Sequence, residues 1–112
     1  MPESKGKPVP VEIRLYRGSL YLGGDIYERY FAGLDAVILL RREGDLYIMP
    51  VRNTAGGGYL LKLMNKDGDR IINAMDFFRE HGLDDFEEKK LHMFWDQTMA
   101  GLKSSGLFEP AN

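Results

Sequence analysis

The chain has 112 residues, of which 44% are hydrophobic and 29% are charged, and its formal net charge is −2. These values are typical of one globular domain and exclude a surface that is basic all over, so any contact with nucleic acid must use a local patch. The absence of cysteine excludes disulfide bonds, thiolate metal ligands and a cysteine nucleophile, and it fits a cytoplasmic location. No apolar run approaches the ~20 residues of a membrane-spanning helix, so we expect no membrane contact.

The basic residues are concentrated early in the chain. Residues 1–55 carry eight Lys or Arg against seven Asp or Glu, whereas residues 56–112 carry seven against ten. An asymmetry this small is more typical of a solvated surface than of a binding patch.

The chain begins with residues 1–10, which are rich in Pro, Lys, Gly and Ser and lack apolar periodicity, so we predict a flexible tail there. Residues 11–107 are predicted to form a single globular domain. Residues 108–112 are predicted to form a loose C-terminal tail.

The domain opens with a pair of predicted strands over residues 12–22. Ile13 and Leu15 alternate with polar neighbours, and a second alternation after the turn places Leu20 and Leu22 on one face. Alternation of this kind predicts half-buried strands.

A short helix is predicted next, over residues 25–32. Asp25 is placed to cap its first turn, and Gly33 is placed to end it. Three apolar side chains fall at helical spacing: Ile26, Tyr30 and Phe31.

A β-hairpin follows over residues 36–50, because two β-prone runs flank the polar turn of residues 41–45. The glycine-rich stretch of residues 52–58 then has the composition of a flexible connection or a wide turn. A phosphate-binding loop would need a helix directly after the glycines, whereas residues 59–64 have the pattern of a strand.

The first pattern recurs in the second half of the chain. The segment GSLYLGGDIYERYFAGL begins at Gly18, and GDRIINAMDFFREHGL begins at Gly68 with one residue fewer. Both keep the order of turn glycine, β pair, helix and closing Gly-Leu, and the second helix is expected over residues 75–81. We therefore predict two copies of one supersecondary unit that share a core, residues 11–52 and 59–105.

The last third of the chain departs from this pattern. We favour a C-terminal helix, because Glu and Lys at residues 87–90 prefer helices to strands and Asp84 or Asp85 can cap its start. The alternative is two strands, residues 90–95 and 100–103, as a faithful second repeat would require. The apolar residues with mostly helical spacing are Phe86, Leu91, Phe94, Trp95, Met99 and Leu102.

The order of strand, Gly, strand, short helix and hairpin resembles the swapped-hairpin barrel of AbrB-type and MazE-type transcription factors. Two copies in one chain resemble the MraZ family. The resemblance implies a β-rich α+β fold, here with a C-terminal helix added, and a DNA-binding transcriptional regulator. Ser19 and Asp69 stand where the family usually has Arg or Gln after the turn glycine, and Gly23 and Asn73 stand where it has proline.

Basic residues in these turns and at the start of the helix contact DNA in that family. By position the resemblance implies Arg14, Arg29, Lys62, Arg70 and Arg79 as contacts. We add Arg17 and the hairpin pair Arg41 and Arg42, because they can reach phosphates and groove edges.

The alternative function is a protein-protein interaction or assembly module that has lost DNA binding and holds its partner through Phe94 and Trp95. We also expect a homodimer, because these two side chains add apolar surface beyond what the two halves need.

Enzymatic activity is not predicted, and neither is a cofactor, a metal or a small-molecule substrate. His81 and His92 have no second ligand at metal spacing. Residues 65–69 superficially resemble a calcium loop, but the glycine comes two places early and no bidentate Glu follows. The serines at positions 19, 104 and 105 have no base at motif spacing.

Overall fold

The computed structural model describes residues 9–52, 58–83 and 87–108. These residues form a nearly closed antiparallel β-barrel with two short helices, so the β-rich α+β class is confirmed. The elements, in chain order, are β1 (Val11–Tyr16), β2 (Ser19–Leu22), α1 (Gly24–Tyr30), β3 (Ala36–Arg42), β4 (Asp45–Val51), β5 (Tyr59–Leu60), β6 (Lys62–Leu63), β7 (Arg70–Asn73), α2 (Met75–Glu80), β8 (Lys89–Asp96) and β9 (Gly101–Ser104).

The nine strands of the sheet lie in the order β5-β3-β4-β9-β8-β1-β2-β7-β6. The two strands at the ends of this order, β5 and β6, are separated in the chain only by Leu61. The chain itself therefore bridges the seam of the barrel, and this leaves little free strand edge.

The pairing pattern has an internal correspondence. β2 pairs with β7 and β4 pairs with β9, while β1 pairs with β8 and β3 pairs with β5. We count β5 and β6 as one strand and read the order around the barrel. This order is then unchanged when β1 is exchanged with β5–β6, β2 with β7, β3 with β8, and β4 with β9.

The predicted strands and the predicted helix of the first half are confirmed. Alternation buries Ile13, Leu15 and Leu20 on the inner face of the barrel, at 0%, 5% and 0% exposure. The hairpin between β1 and β2 turns at Arg17 and Gly18, whose φ angles are 53° and 79°. Positive φ at both central residues matches the right-handed twist of the flanking strands, so the turn keeps the two strands in register.

The start of α1 differs from the prediction. Its N-cap is Gly23, whose residue type offers no side chain to cap the helix, and Asp25 lies in the first turn. The N–H of Gly24 donates instead to Oδ1 of Asp69, at 2.8 Å, in the turn between β6 and β7. A carboxylate from the second half of the chain thus satisfies an amide at the helix start, where negative charge is favoured.

The predicted C-terminal helix is wrong, and the two strands of the alternative are present as β8 and β9. Buried Leu91 and Met93 alternate with exposed His92 and Phe94 along β8. β1 pairs with β8 over five successive residues, so long-range pairing outweighs the helix propensity of residues 87–90. The predicted helix start at residues 84–86 lies outside the described residues.

The core fills the barrel and extends to Phe108. The prediction of a loose C-terminal tail over residues 108–112 is therefore wrong for its first residue. Phe108 is 8% exposed, and its ring centroid lies 6.2 Å from that of Phe77 and 6.3 Å from that of Phe78. The rest of that tail, most of the N-terminal tail and the glycine-rich residues 53–57 lie outside the described part of the chain.

Substitution of Gly18 by Ala tests the contact between the first hairpin and α2. A Cβ at Gly18 would lie 2.5 Å from Cα of Met75, whereas a Cβ at Gly33, which has the same φ of 79°, meets nothing within 4 Å. Gly33→Ala should therefore lower the free energy of unfolding by about 1–2 kcal/mol, through the backbone conformation alone. Gly18→Ala should cost a further ~1–3 kcal/mol for overpacking, measured by urea unfolding. Equal costs for the two variants would contradict the contact.

The cap on α1 predicts a pH dependence of stability. Hydrogen bonds from the Asn65 side chain and the Gly24 amide hold the pKa of Asp69 below its ordinary value of 3.8. Because the folded pKa is lowered, the stabilisation is complete above 3.8 and is lost as the pH falls through the folded pKa. Asp69→Asn should lower Tm near neutral pH, and the difference from the unmodified chain should shrink in acid. A difference that stays constant as the pH falls would argue against the cap.

Candidate nucleic-acid interface

Five neighbouring strands place outward-facing side chains in one line across the barrel. Residues opposite each other in an antiparallel pair share a face of the sheet. The register aligns Lys62 with Ile71, Ile71 with Tyr21, Tyr21 with Arg14, and Arg14 with Lys90. We call these five residues the cross-strand row. At the usual strand spacing it spans ~19 Å.

Arg14 lies near one end of the row and is held in place by two contacts. Its guanidinium carbon lies 4.5 Å from the ring centroid of Tyr21, and its Nη1 lies 3.5 Å from Oε1 of Glu88. Both members of the ion pair are well exposed, at 43% and 39% of their side chains, so the pair itself contributes little to stability. The aromatic contact orients the cation along the outer face.

Carboxylates flank the row. Glu12 lies beside it on β1, with Oε1 3.6 Å from Nε2 of His92 on the neighbouring strand. Asp69 and Glu12 also line a depression of about 290 Å³ together with Arg14, Tyr21 and Met64. The outer face is therefore a mixed surface in which carboxylates lie beside the cations of the row.

Two other predicted cations lie near α2, Arg17 in the β1–β2 turn and Arg79 in the last turn of the helix. Arg17 occupies the β1–β2 turn, with its guanidinium carbon 5.3 Å from the ring centroid of Tyr16. Arg79 of α2 reaches Sδ of Met75 with Nη2, at 3.3 Å, and the adjacent Gly18 approaches the backbone of Met75 closely. The first hairpin thus meets α2 between these two arginines.

Arg41 and Arg42 lie on the β3–β4 hairpin. Arg41 donates from Nε to the carbonyl oxygen of Glu43, at 2.7 Å, and its guanidinium carbon lies 5.3 Å from the ring centroid of Phe108. Nη1 of Arg42 contacts Sδ of Met99, at 3.2 Å, on the neighbouring β8–β9 turn. Both residues are exposed.

Arg29 and Arg70 lie against aromatic rings of α1. The guanidinium carbon of Arg70 is 3.8 Å from the ring centroid of Tyr27, and its Nη1 donates to the carbonyl oxygen of Gly68, at 2.8 Å. Arg29 stacks over Tyr30, with its guanidinium carbon 5.6 Å from the ring centroid. Of the eight cations predicted from sequence, the structure therefore brings Arg14 and Lys62 into the row and distributes the others over three further places.

Sequence reasoning did not select Lys90. It lies in the segment for which a helix was expected, and only a strand places it opposite Arg14. Leu91 and Met93 are apolar residues two positions apart, and this period indicates a strand with Lys90 on its outer face. Both are buried in the structure, at 6% and 0% exposure.

Phe94 and Trp95 point to opposite sides of β8. Trp95 pairs with the buried Leu102, and its ring stacks on Tyr30 with centroids 5.3 Å apart and planes 10° from parallel. Phe94 faces outward and is 40% exposed. The two side chains therefore do not form one apolar surface.

Three apolar side chains at the seam of the barrel are more exposed than Phe94. Leu60, Leu63 and Met64 are exposed at 60%, 63% and 44% and lie on or directly after β5 and β6. We call these three residues the seam cluster.

Comparison with protein families, with curated proteins and with solved structures found no significant match. Within the described ranges, no three His, Asp or Glu side chains are grouped so as to hold a metal ion. Neither of the two helices in those ranges is long and apolar enough to cross a membrane.

Proposed function

We propose that the chain is a swapped-hairpin barrel of the AbrB, MazE and MraZ type, built from two copies of one unit, residues 11–52 and 59–105. Two features support this proposal. The order of the sheet is unchanged when the strands of the two halves are exchanged. The turn before each second strand also lies against the helix of the other half, since Gly18 contacts Met75 and Gly68 lies beside Gly24.

We further propose that the protein is a small DNA-binding regulator that binds duplex DNA with the outer face around the cross-strand row. The observation that supports this most directly is that one register line carries Lys62, Arg14 and Lys90 with an aromatic ring among them. Lys62 and Arg14 are three strand spacings apart, ~14 Å. The major groove is about 12 Å wide, so cations at this separation match phosphates on its two sides.

In this arrangement Tyr21 and Ile71 lie between the cations and face the base edges. Phosphate contacts would fix the position of the barrel on DNA, and the central side chains would contribute any preference for sequence. A β-ribbon in the major groove is an established way for a sheet to bind duplex DNA. The flanking acids Glu12, Glu88 and Asp69 weaken the local positive potential, so we expect modest affinity.

Replacing Lys62 and Lys90 together with Ala tests the row. With about three phosphate contacts, log affinity should fall against log salt with a slope of about −2.7, and the double variant should flatten that slope by about 2 units. Both lysines are exposed, so the fold should be retained. Fluorescence anisotropy with a labelled mixed-sequence duplex measures both slopes.

The matched control replaces Arg41 and Arg42, which are exposed cations on a hairpin outside the row. This variant removes the same formal charge and should leave the salt slope within about 0.5 unit of the unmodified chain. The regulator proposal fails if the unmodified chain does not bind DNA at roughly 50 mM salt, or if the hairpin variant loses more binding than the row variant.

The second candidate function is a protein-protein interaction module, and the seam cluster is the observation that favours it. Contiguous exposed apolar side chains are a common mark of a protein contact. We place the proposed homodimer at this cluster, because Trp95 is already engaged with Tyr30.

Sedimentation of the unmodified chain and of the Leu60→Ser, Leu63→Ser double variant tests this contact. We expect a dimer at micromolar concentration for the unmodified chain and a monomer for the variant, since each serine removes apolar area from the contact. Phe94→Ser is the control and should leave the dimer intact. A monomeric unmodified chain would contradict the homodimer.

A further inference from the structure

A second depression lies between the end of α1 and the end of β4. It has a volume of about 340 Å³, and Arg29 and Arg52 both line it. Tyr30, Leu34 and Pro50 form apolar parts of its wall, and Glu28 contributes one carboxylate. We call it the two-arginine pocket. It shares no lining residue with the depression beside the cross-strand row.

Neither arginine is in an ion pair within the described ranges, although the carboxylate of Glu28 lines the same pocket. Arg29 stacks over the ring of Tyr30 and forms no ion pair or hydrogen bond within residues 9–52, 58–83 and 87–108. Arg52 likewise has no such partner within those ranges. By contrast, Arg14 has Glu88 as a partner, and Arg41 and Arg70 donate to backbone carbonyls. Two like charges that line one pocket repel each other, and a bound anion reduces this repulsion.

The chemistry of the wall indicates the class of ligand. A guanidinium presents parallel N–H donors that match the two oxygens of a carboxylate or a phosphate. Leu34 and Pro50 supply an apolar part of the wall against which a hydrocarbon or aromatic body can pack. Glu28 repels a second negative group at its end of the pocket and accepts a hydrogen bond from a neutral donor.

We propose that the two-arginine pocket binds a small organic anion, with its carboxylate or phosphate group on Arg29 and Arg52 and its apolar body against Leu34 and Pro50. This site goes beyond the proposed DNA-binding function and does not depend on it.

The pocket has an internal optical reporter. Tyr30 lines the pocket and stacks on Trp95, with ring centroids 5.3 Å apart. Trp95 is the only tryptophan of the chain. A ligand that contacts Tyr30 should therefore change the emission of a single, assigned fluorophore.

The experiment titrates the full chain with benzoate, phenyl phosphate and inorganic phosphate while tryptophan emission is recorded. We expect a saturable change with the two aromatic anions, weaker binding of inorganic phosphate because it lacks the apolar body, and no saturation with neutral benzamide. Arg52→Ala should weaken binding about tenfold or more, because a charge-assisted contact is lost. Arg52→Lys should bind with intermediate affinity, because lysine keeps the positive charge but lacks the parallel N–H donors of the guanidinium.

Arg41→Ala is the control, because it removes an exposed arginine outside the pocket and should leave the titration unchanged. Circular dichroism of each variant shows whether it is folded, and Arg29→Ala provides an independent second test. The proposal is overturned if no anion gives a saturable change, or if folded Arg52→Ala and Arg29→Ala bind as tightly as the unmodified chain.

The same variants separate the pocket from the DNA face. Arg52→Ala should retain the DNA affinity of the unmodified chain, and the Lys62→Ala, Lys90→Ala variant should retain benzoate binding. If duplex DNA displaces phenyl phosphate and Arg52→Ala loses both, the pocket binds a backbone phosphate and the small-anion assignment is wrong. Failure of DNA binding alone leaves the pocket proposal intact.

Discussion

The antiparallel pair of β2 and β7 is the contact on which the cross-strand row depends, because it joins β1 and β2 of the first half to β6 and β7 of the second. Its inner face places Leu20, Leu22 and Ile72 in the core, at 0%, 1% and 0% exposure. Its outer face places Tyr21 opposite Ile71. The four residue pairs that join β2 to β7 therefore close the core on one face and bring β1 and β6 onto one outer surface on the other. Without this pair, Arg14 and Lys62 would belong to separate sheets.

The turns reinforce that pair at both of its ends. At one end Gly18 allows the first hairpin to approach Met75 at the start of α2, where a larger residue has no space. At the other end Asp69 accepts a hydrogen bond from Gly24 at the start of α1. Each helix is thus fixed by a turn from the other half of the chain.

Much of the fold was predictable because its elements are encoded locally. Alternation at Ile13 and Leu15, the positive-φ turn at Arg17 and Gly18, and the closing glycine of each helix are signals within a few residues of chain. The C-terminal third was not predictable in this way. Residues 87–90 favour a helix locally, and only pairing with β1, which lies far away in sequence, makes β8 a strand.

The candidate site was less predictable than the fold. The sequence identifies which residues are cationic, but their convergence depends on the register of four separate strand pairs. The stacking of arginines on aromatic rings was equally unpredictable from the sequence. Arg70 stacks on Tyr27 of α1, and Arg41 stacks on Phe108 near the C-terminus. The two-arginine pocket likewise joins α1 to the end of β4, which sequence patterns do not connect.

We propose that the five residues of the cross-strand row form one surface and that this surface binds DNA. Backbone amide shifts recorded by NMR during titration with a short duplex test both parts at once. The account predicts that the largest changes fall on Lys62, Ile71, Tyr21, Arg14 and Lys90, which lie on five different strands. Changes that instead concentrate on the β3–β4 hairpin, or that spread over the seam cluster and leave the row unaffected, would contradict it.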